Sequence, residues 1–112
     1  MKQYAQTLML KDDPAVIAAY RAHHANVWPE VAEGIREIGI TQMQIWLLGR
    51  RLFMLMETVD DFVPDRDFAR YEAGHPRRAE WQRLMEGLQE PVPEAQPGEW
   101  WAAMEEVFRL NG

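Results

Sequence analysis

Ile40-Thr-Gln-Met-Gln-Ile-Trp-Leu-Leu48 and Leu52-Phe-Met-Leu-Met-Glu-Thr-Val59 stand on either side of Gly49-Arg50-Arg51. Both runs have the length and the apolar content of strands, and a short glycine-containing link between them reads as a β-hairpin. What flanks this hairpin decides the fold. On its N-terminal side, Gly39 closes a helical stretch, Pro29–Ile38, that carries Val31, Ile35 and Ile38 on one face. Glycine just past a helix end is favoured because it takes up left-handed angles without steric cost. Further back, Asp13-Pro14 opens a helix: Asp caps free N–H groups and Pro suits the first helical position. Val16, Tyr20, His23 or His24, and Val27 then recur at helical spacing. Pro29 cannot sit inside that helix without striking the carbonyl of Ala25, so the helix kinks or restarts near Asn26–Trp28. Before it, Gln3–Leu10 is a short apolar-rich strand.

On the C-terminal side, Asp60–Asp67 is a polar connection containing Pro64, followed by a short helix over Asp67–Gly74. His75-Pro76 interrupts it, because a residue before proline avoids helical angles. Arg77–Gln89 is a second long helix, with Trp81, Leu84, Met85 and Leu88 on one face. Glu90–Glu99 holds three prolines and a glycine and reads as a loop. Ala102–Leu110 alternates Met104, Glu106, Phe108 and Leu110 against Glu105, Val107 and Arg109, the pattern of a last strand. The order is therefore βαββαβ, an α+β fold of the ferredoxin-like type in one domain over residues 1–112. Both helices lie on one face of such a sheet. A second copy is expected to cover the other face, giving a homodimer in which two sheets meet as a barrel.

Composition narrows the function. A hydrophobic share of 47% fits a globular chain, and the longest tidy apolar run, Leu52–Met56, is far too short to span a membrane. The net charge of −6 and the absence of a basic stripe argue against nucleic acid and against an anionic membrane surface. A neutral ligand such as a sugar is indifferent to that charge. There is no cysteine, hence no thiol nucleophile, and no apolar leader follows Met1, which fits a cytoplasmic protein. His23-His24 is not a metal pair, since neighbours on a helix point about 100° apart; no metal site and no cofactor are expected. The remaining chemistry is histidine proton transfer or plain binding, with Tyr20, Trp28, Trp46 and Trp81 as surfaces on which a pyranose ring can stack.

Tyr20-x-x-x-His24-x-x-x-Trp28-Pro29-Glu30 resembles the L-rhamnose mutarotase family. Gly39, Leu52-Phe53, Trp81-x-x-x-Met85 and Glu106-Val107-Phe108-x-Leu110 extend the similarity over nearly the whole chain. The resemblance implies a dimeric ferredoxin-like fold, a free monosaccharide as substrate and interconversion of its α and β anomers without a cofactor. It also implies roles: His24 as the proton donor, with Tyr20 and Trp81 at the sugar. Two positions depart from the family: Met43 replaces an aromatic on the second strand, and Gln82 replaces a tryptophan on the second long helix. Both fall at the sugar in the family, and the branch looks like members associated with L-fucose. L-fucose and L-rhamnose are both 6-deoxy sugars, whose methyl group Met43 is suited to contact. Two competing readings are a cofactor-free monooxygenase of the same dimeric fold and a non-catalytic sugar-binding dimer.

Overall fold

The computed structural model describes residues 1–112. Its chain runs β1 (Lys2–Leu10), α1 (Pro14–Ala25), α2 (Pro29–Glu37), β2 (Ile40–Leu48), β3 (Arg51–Thr58), α3 (Pro64–Ala73), α4 (Pro76–Leu88), β4 (Gln89–Glu90) and β5 (Ala102–Ala103). The sheet is antiparallel in the order β2-β3-β1, and β4 and β5 both pair with β1. This is the ferredoxin-like arrangement, with each long crossover built from two helices. No helix is long and apolar enough to cross a membrane.

Prolines and glycines set the element boundaries. Asp13 caps α1 by accepting the Ala15 N–H at 2.9 Å, with Pro14 at the first helical position. The expected break before Pro29 is real: α1 ends at Ala25, and α2 restarts with Pro29 as its first residue. Gly39, at φ 97°, ends the helical segment and turns into β2. Gly49, at φ 61°, and Arg50 form the two-residue hairpin turn, with glycine first as a type II′ turn requires.

Three expectations need correction. The polar connection is shorter than expected, because α3 begins at Pro64. No side chain caps α3 from Val63; instead Asp67 reaches back and accepts the Val63 N–H at 2.8 Å. Hydrogen bonds from Arg66 above all, and from Val63 and Arg70, hold the buried Asp67 carboxyl well below the usual carboxylate range. Gln89 and Glu90, taken as helix end and loop, form a short strand on β1. The last strand shrinks from Ala102–Leu110 to Ala102–Ala103, and the chain leaves the sheet after Met104.

The core lies between the sheet and the helices. Leu8 and Leu10 of β1 and Leu52, Met54 and Met56 of β3 point to the helix side, against Tyr20, Val31, Tyr71, Trp81 and Met85. A buried arginine ties the helices together. Arg78 on α4 donates from Nε to the Glu30 carbonyl at 2.8 Å, and its guanidinium also reaches Tyr71 and Glu37. It passes over Gly34 so closely that a Cβ there would fall 2.6 Å from Arg78 Cζ. Alanine would gain about 1 kcal/mol of helix propensity. Overpacking in a filled site costs about 1–3 kcal/mol, and Arg78 cannot swing away without abandoning the Glu30 carbonyl. Gly34→Ala is therefore expected to lower stability, visible as a lower urea midpoint at unchanged slope. A raised midpoint would show that Arg78 is free to move.

Candidate active site

The break between α1 and α2 opens a cavity of about 750 Å³ between these helices and the helix-facing side of β2 and β3. Its volume falls in the range of small-molecule sites. Val27, Ile35, Met43, Ile45 and Leu47 supply apolar wall, and Tyr20, His24, Thr41 and Gln42 supply polar groups. Arg21 and Arg36 also line it, and neither pairs with a carboxylate.

Tyr20 and His24, one helical turn apart, meet as stacked rings with centroids 4.1 Å apart. His24 Nδ1 lies 2.9 Å from the Tyr20 carbonyl oxygen. A carbonyl only accepts, so Nδ1 carries the proton, and in the neutral ring Nε2 is left with its lone pair. Burial lowers the His24 pKa; the bond to the Tyr20 carbonyl opposes this, and His23 adds to the lowering. The resting imidazole is thus neutral at pH 7.

Trp81 comes to the same cluster from α4. Its ring meets His24 edge to face at 5.5 Å and Trp28 at 5.1 Å, and Arg77 stacks over Trp28 at 3.7 Å. Trp81 is buried and does not line the cavity in this structure; it touches the site through His24. Met43 does line the cavity, whereas Gln82 does not. His23 also meets the edge of Trp81, at 6.1 Å, but is outside the cavity wall.

Two residues behind the site have no counterpart in the sequence reading. Gln89 is buried, and its side-chain oxygen accepts the Trp100 Nε1–H at 2.9 Å. The Gln89 side chain also acts on the Tyr20 hydroxyl. Burial pushes this hydroxyl up to about 12, against the Gln89 hydrogen bond, which favours its ionised form. Tyr20 therefore keeps its proton at neutral pH. No group of three or more His, Asp or Glu side chains is placed to hold a metal ion.

A ferredoxin-like sheet with a histidine and a tyrosine stacked on the wall of one small-molecule cavity defines a class: a small α+β protein whose pocket carries groups able to exchange protons with a bound molecule. The family model of L-rhamnose mutarotase matches residues 3–110, and the chain belongs to that family. It is accordingly an isomerase of sugar anomers, which decides against the monooxygenase reading. It is 38% identical to an L-fucose mutarotase of Xanthomonas campestris pv. campestris, over 99% of this chain and 90% of that one. It is 44% identical to a UPF0734 protein of Dictyostelium discoideum, over 98% of this chain and 90% of the relative. The fold is similar to a crystal structure of an L-rhamnose mutarotase from Formosa agariphila, with TM-score 0.69 and 19% identity over 98% and 99% of the two chains. A tetracenomycin F2 cyclase from Streptomyces glaucescens shares it at TM-score 0.62 and 21% identity, over 100% and 99%.

Proposed function

We propose that the protein interconverts the anomers of a free 6-deoxy-L-sugar by proton transfer between the sugar, His24 and Tyr20. The observation that carries this is the stacked pair of Tyr20 and His24 rings on the cavity wall, with His24 Nδ1 tied to the Tyr20 carbonyl and Nε2 free; burial favours the neutral imidazole and the protonated hydroxyl. His24 Nε2 takes the proton of the anomeric hydroxyl. The C1–O1 bond becomes a carbonyl, the bond from C1 to the ring oxygen breaks, and that oxygen takes the proton of Tyr20. Rotation about C1–C2 presents the other carbonyl face. On reclosure the C5 hydroxyl gives its proton back to Tyr20 as it attacks C1, and the protonated His24 gives its proton to O1, so His24 is then the proton donor, the role the family resemblance implies. The uncatalysed reaction is already facile, and one positioned acid or base contributes roughly 10²–10⁴-fold. Trp81 holds the His24 ring from its edge and so acts on the sugar through it.

The preferred sugar is L-fucose or a close relative. Met43 on the cavity wall offers a flexible apolar contact in place of the family's aromatic, and the Xanthomonas relative is an L-fucose mutarotase. Saturation transfer between anomeric protons across a panel of aldoses tests both levels. L-fucose is expected to exchange faster than L-rhamnose at equal enzyme. Faster exchange of L-rhamnose would overturn the preference but not the reaction. Sugar binding without accelerated exchange of any aldose would overturn the reaction and favour a sugar-binding protein.

The functional unit is a homodimer. The sheet face away from the helices carries Ala5, Met9, Phe53 and Leu55, with Trp46 stacked on Phe53 at 5.4 Å. Trp46 is 48% and Leu48 85% exposed in the single copy. A face this apolar is covered in a stable protein, and a second copy of the same face fits it.

A further inference from the structure

The cavity has a charge that a neutral sugar does not use. The chain carries 18 Asp and Glu residues against 12 Lys and Arg, yet no carboxylate lines the cavity and two arginines do. Seven of the chain's ten arginines pair with a carboxylate, and of the remaining three Arg21 and Arg36 line this one cavity. The local sequence explains why Arg21 is unpaired. Its neighbours one turn away on α1 are Ile17, Ala18, His24 and Ala25, none of them acidic. Arg36 has Glu33 three residues before it on α2 and makes no ion pair with it. A cation in the last turn of α2 suits the helix dipole, but Arg21 lies before the last turn of α1 and has no such reason.

A site for hydroxyls alone gains little from this arrangement. Each sugar hydroxyl donates as well as accepts, and a guanidinium only donates. Its planar fork matches a carboxylate, with charge-assisted bonds about twice as strong as neutral ones. The two arginines are exposed, whereas His24 is partly buried. A ring that brings its anomeric carbon to His24 therefore turns its far end, C5 and its substituent, toward the mouth where the guanidiniums are.

We propose that the cavity takes a second class of substrate, free aldoses with a carboxylate at C6 (uronic acids), held at the mouth by Arg21 and Arg36. This rests on the mutarotase reading of the same site. The methyl of a 6-deoxy sugar and the carboxylate of a uronate both stand on C5, so both classes present the same ring to His24 and Tyr20. The carboxylate takes no part in the proton transfers, and the bonds broken and remade are those of the neutral sugar.

The test compares aldoses that differ only at C6, galacturonate against galactose and glucuronate against glucose, with L-fucose as the control for the reaction. Saturation transfer between anomeric protons reads the catalysed exchange at subsaturating sugar. In at least one pair the uronate is expected to exchange at least ~10-fold faster than its neutral partner. That ratio is expected to fall toward one as salt rises from about 0.02 M to about 1 M, where screening reaches about 3 Å. It is also expected to fall toward one in the double variant Arg21→Gln, Arg36→Gln, with circular dichroism reporting its fold; the salt series on the wild type holds the test if the variant does not fold. With L-fucose exchange accelerated, a ratio near one in both pairs, or an advantage that survives high salt or the double variant, overturns the second substrate class and leaves the mutarotase reading standing. A larger gain for galactose 6-phosphate than for galacturonate overturns the carboxylate as the group recognised. No acceleration of any aldose, L-fucose included, overturns both readings.

Discussion

His24→Ala is expected to fold almost normally and to exchange anomers about 10²-fold more slowly, or worse. The two readouts separate because the histidine contributes little to stability. Its one hydrogen bond goes to the Tyr20 carbonyl, which sits inside α1 and keeps its helical partner. The lost ring contacts with Tyr20 and Trp81 are aromatic pairs worth about 0.5–1.5 kcal/mol each beyond burial. That moves a melting midpoint by several degrees and leaves the protein folded at 25 °C. His23→Ala, which removes a ring outside the cavity, is expected to leave the exchange rate within a few-fold. A folded His24→Ala protein with wild-type exchange would remove the catalytic role.

The acid limb of the wild-type rate gives the sign independently. Burial holds His24 below the ordinary 6.5. The neutral base therefore persists as pH falls past 6.5, and activity is lost only further down, through the lowered value. Stability follows the same direction. Between the folded pKa and 6.5 the unfolded chain binds more protons than the folded one. The contribution is present above 6.5 and lost as pH falls through the folded value. An acid limb above 6.5 would contradict a buried, neutral His24 as the resting base.

The parts of the fold legible in the sequence are those written in local chemistry. Pro14, Pro29, Gly39 and Gly49 mark boundaries because each restricts or frees backbone angles by itself. Pro64 misled for the same reason: proline suits a loop as well as a first helical turn, and the stabilising carboxylate of Asp67 lies on the far side of that turn. The alternation in Ala102–Leu110 suggested a longer strand than the two residues that pair with β1, because a pattern carries no information about whether a partner strand lies within reach. In the site, Tyr20 and His24 were readable because one helical turn brings them together. Gln89 was not, since it meets Trp100 across eleven residues and Tyr20 only through the packing of β4 against α1's side of the core. Trp81 was readable as a member of the cluster, while its position behind His24 depends on how α4 packs.

Tyr20→Phe is expected to lower the exchange rate by about 10²-fold with little change in apparent sugar affinity. The ring, its burial and its stack on His24 all remain, and only the hydroxyl is lost. The Gln89 side chain then faces a carbon in place of the hydroxyl, so a small fall in the midpoint is expected. Because His24 is untouched, the acid limb is expected to stay where it was while the plateau drops. Gln89→Leu separates the proton on Tyr20 from its orientation. It removes the group that serves the hydroxyl and frees the Trp100 indole, but leaves the hydroxyl to donate, so a smaller loss than Tyr20→Phe is expected. If Tyr20→Phe instead weakens sugar binding and leaves the saturated exchange rate intact, the hydroxyl binds the substrate without giving up its proton. The ring oxygen would then have to be protonated by another group.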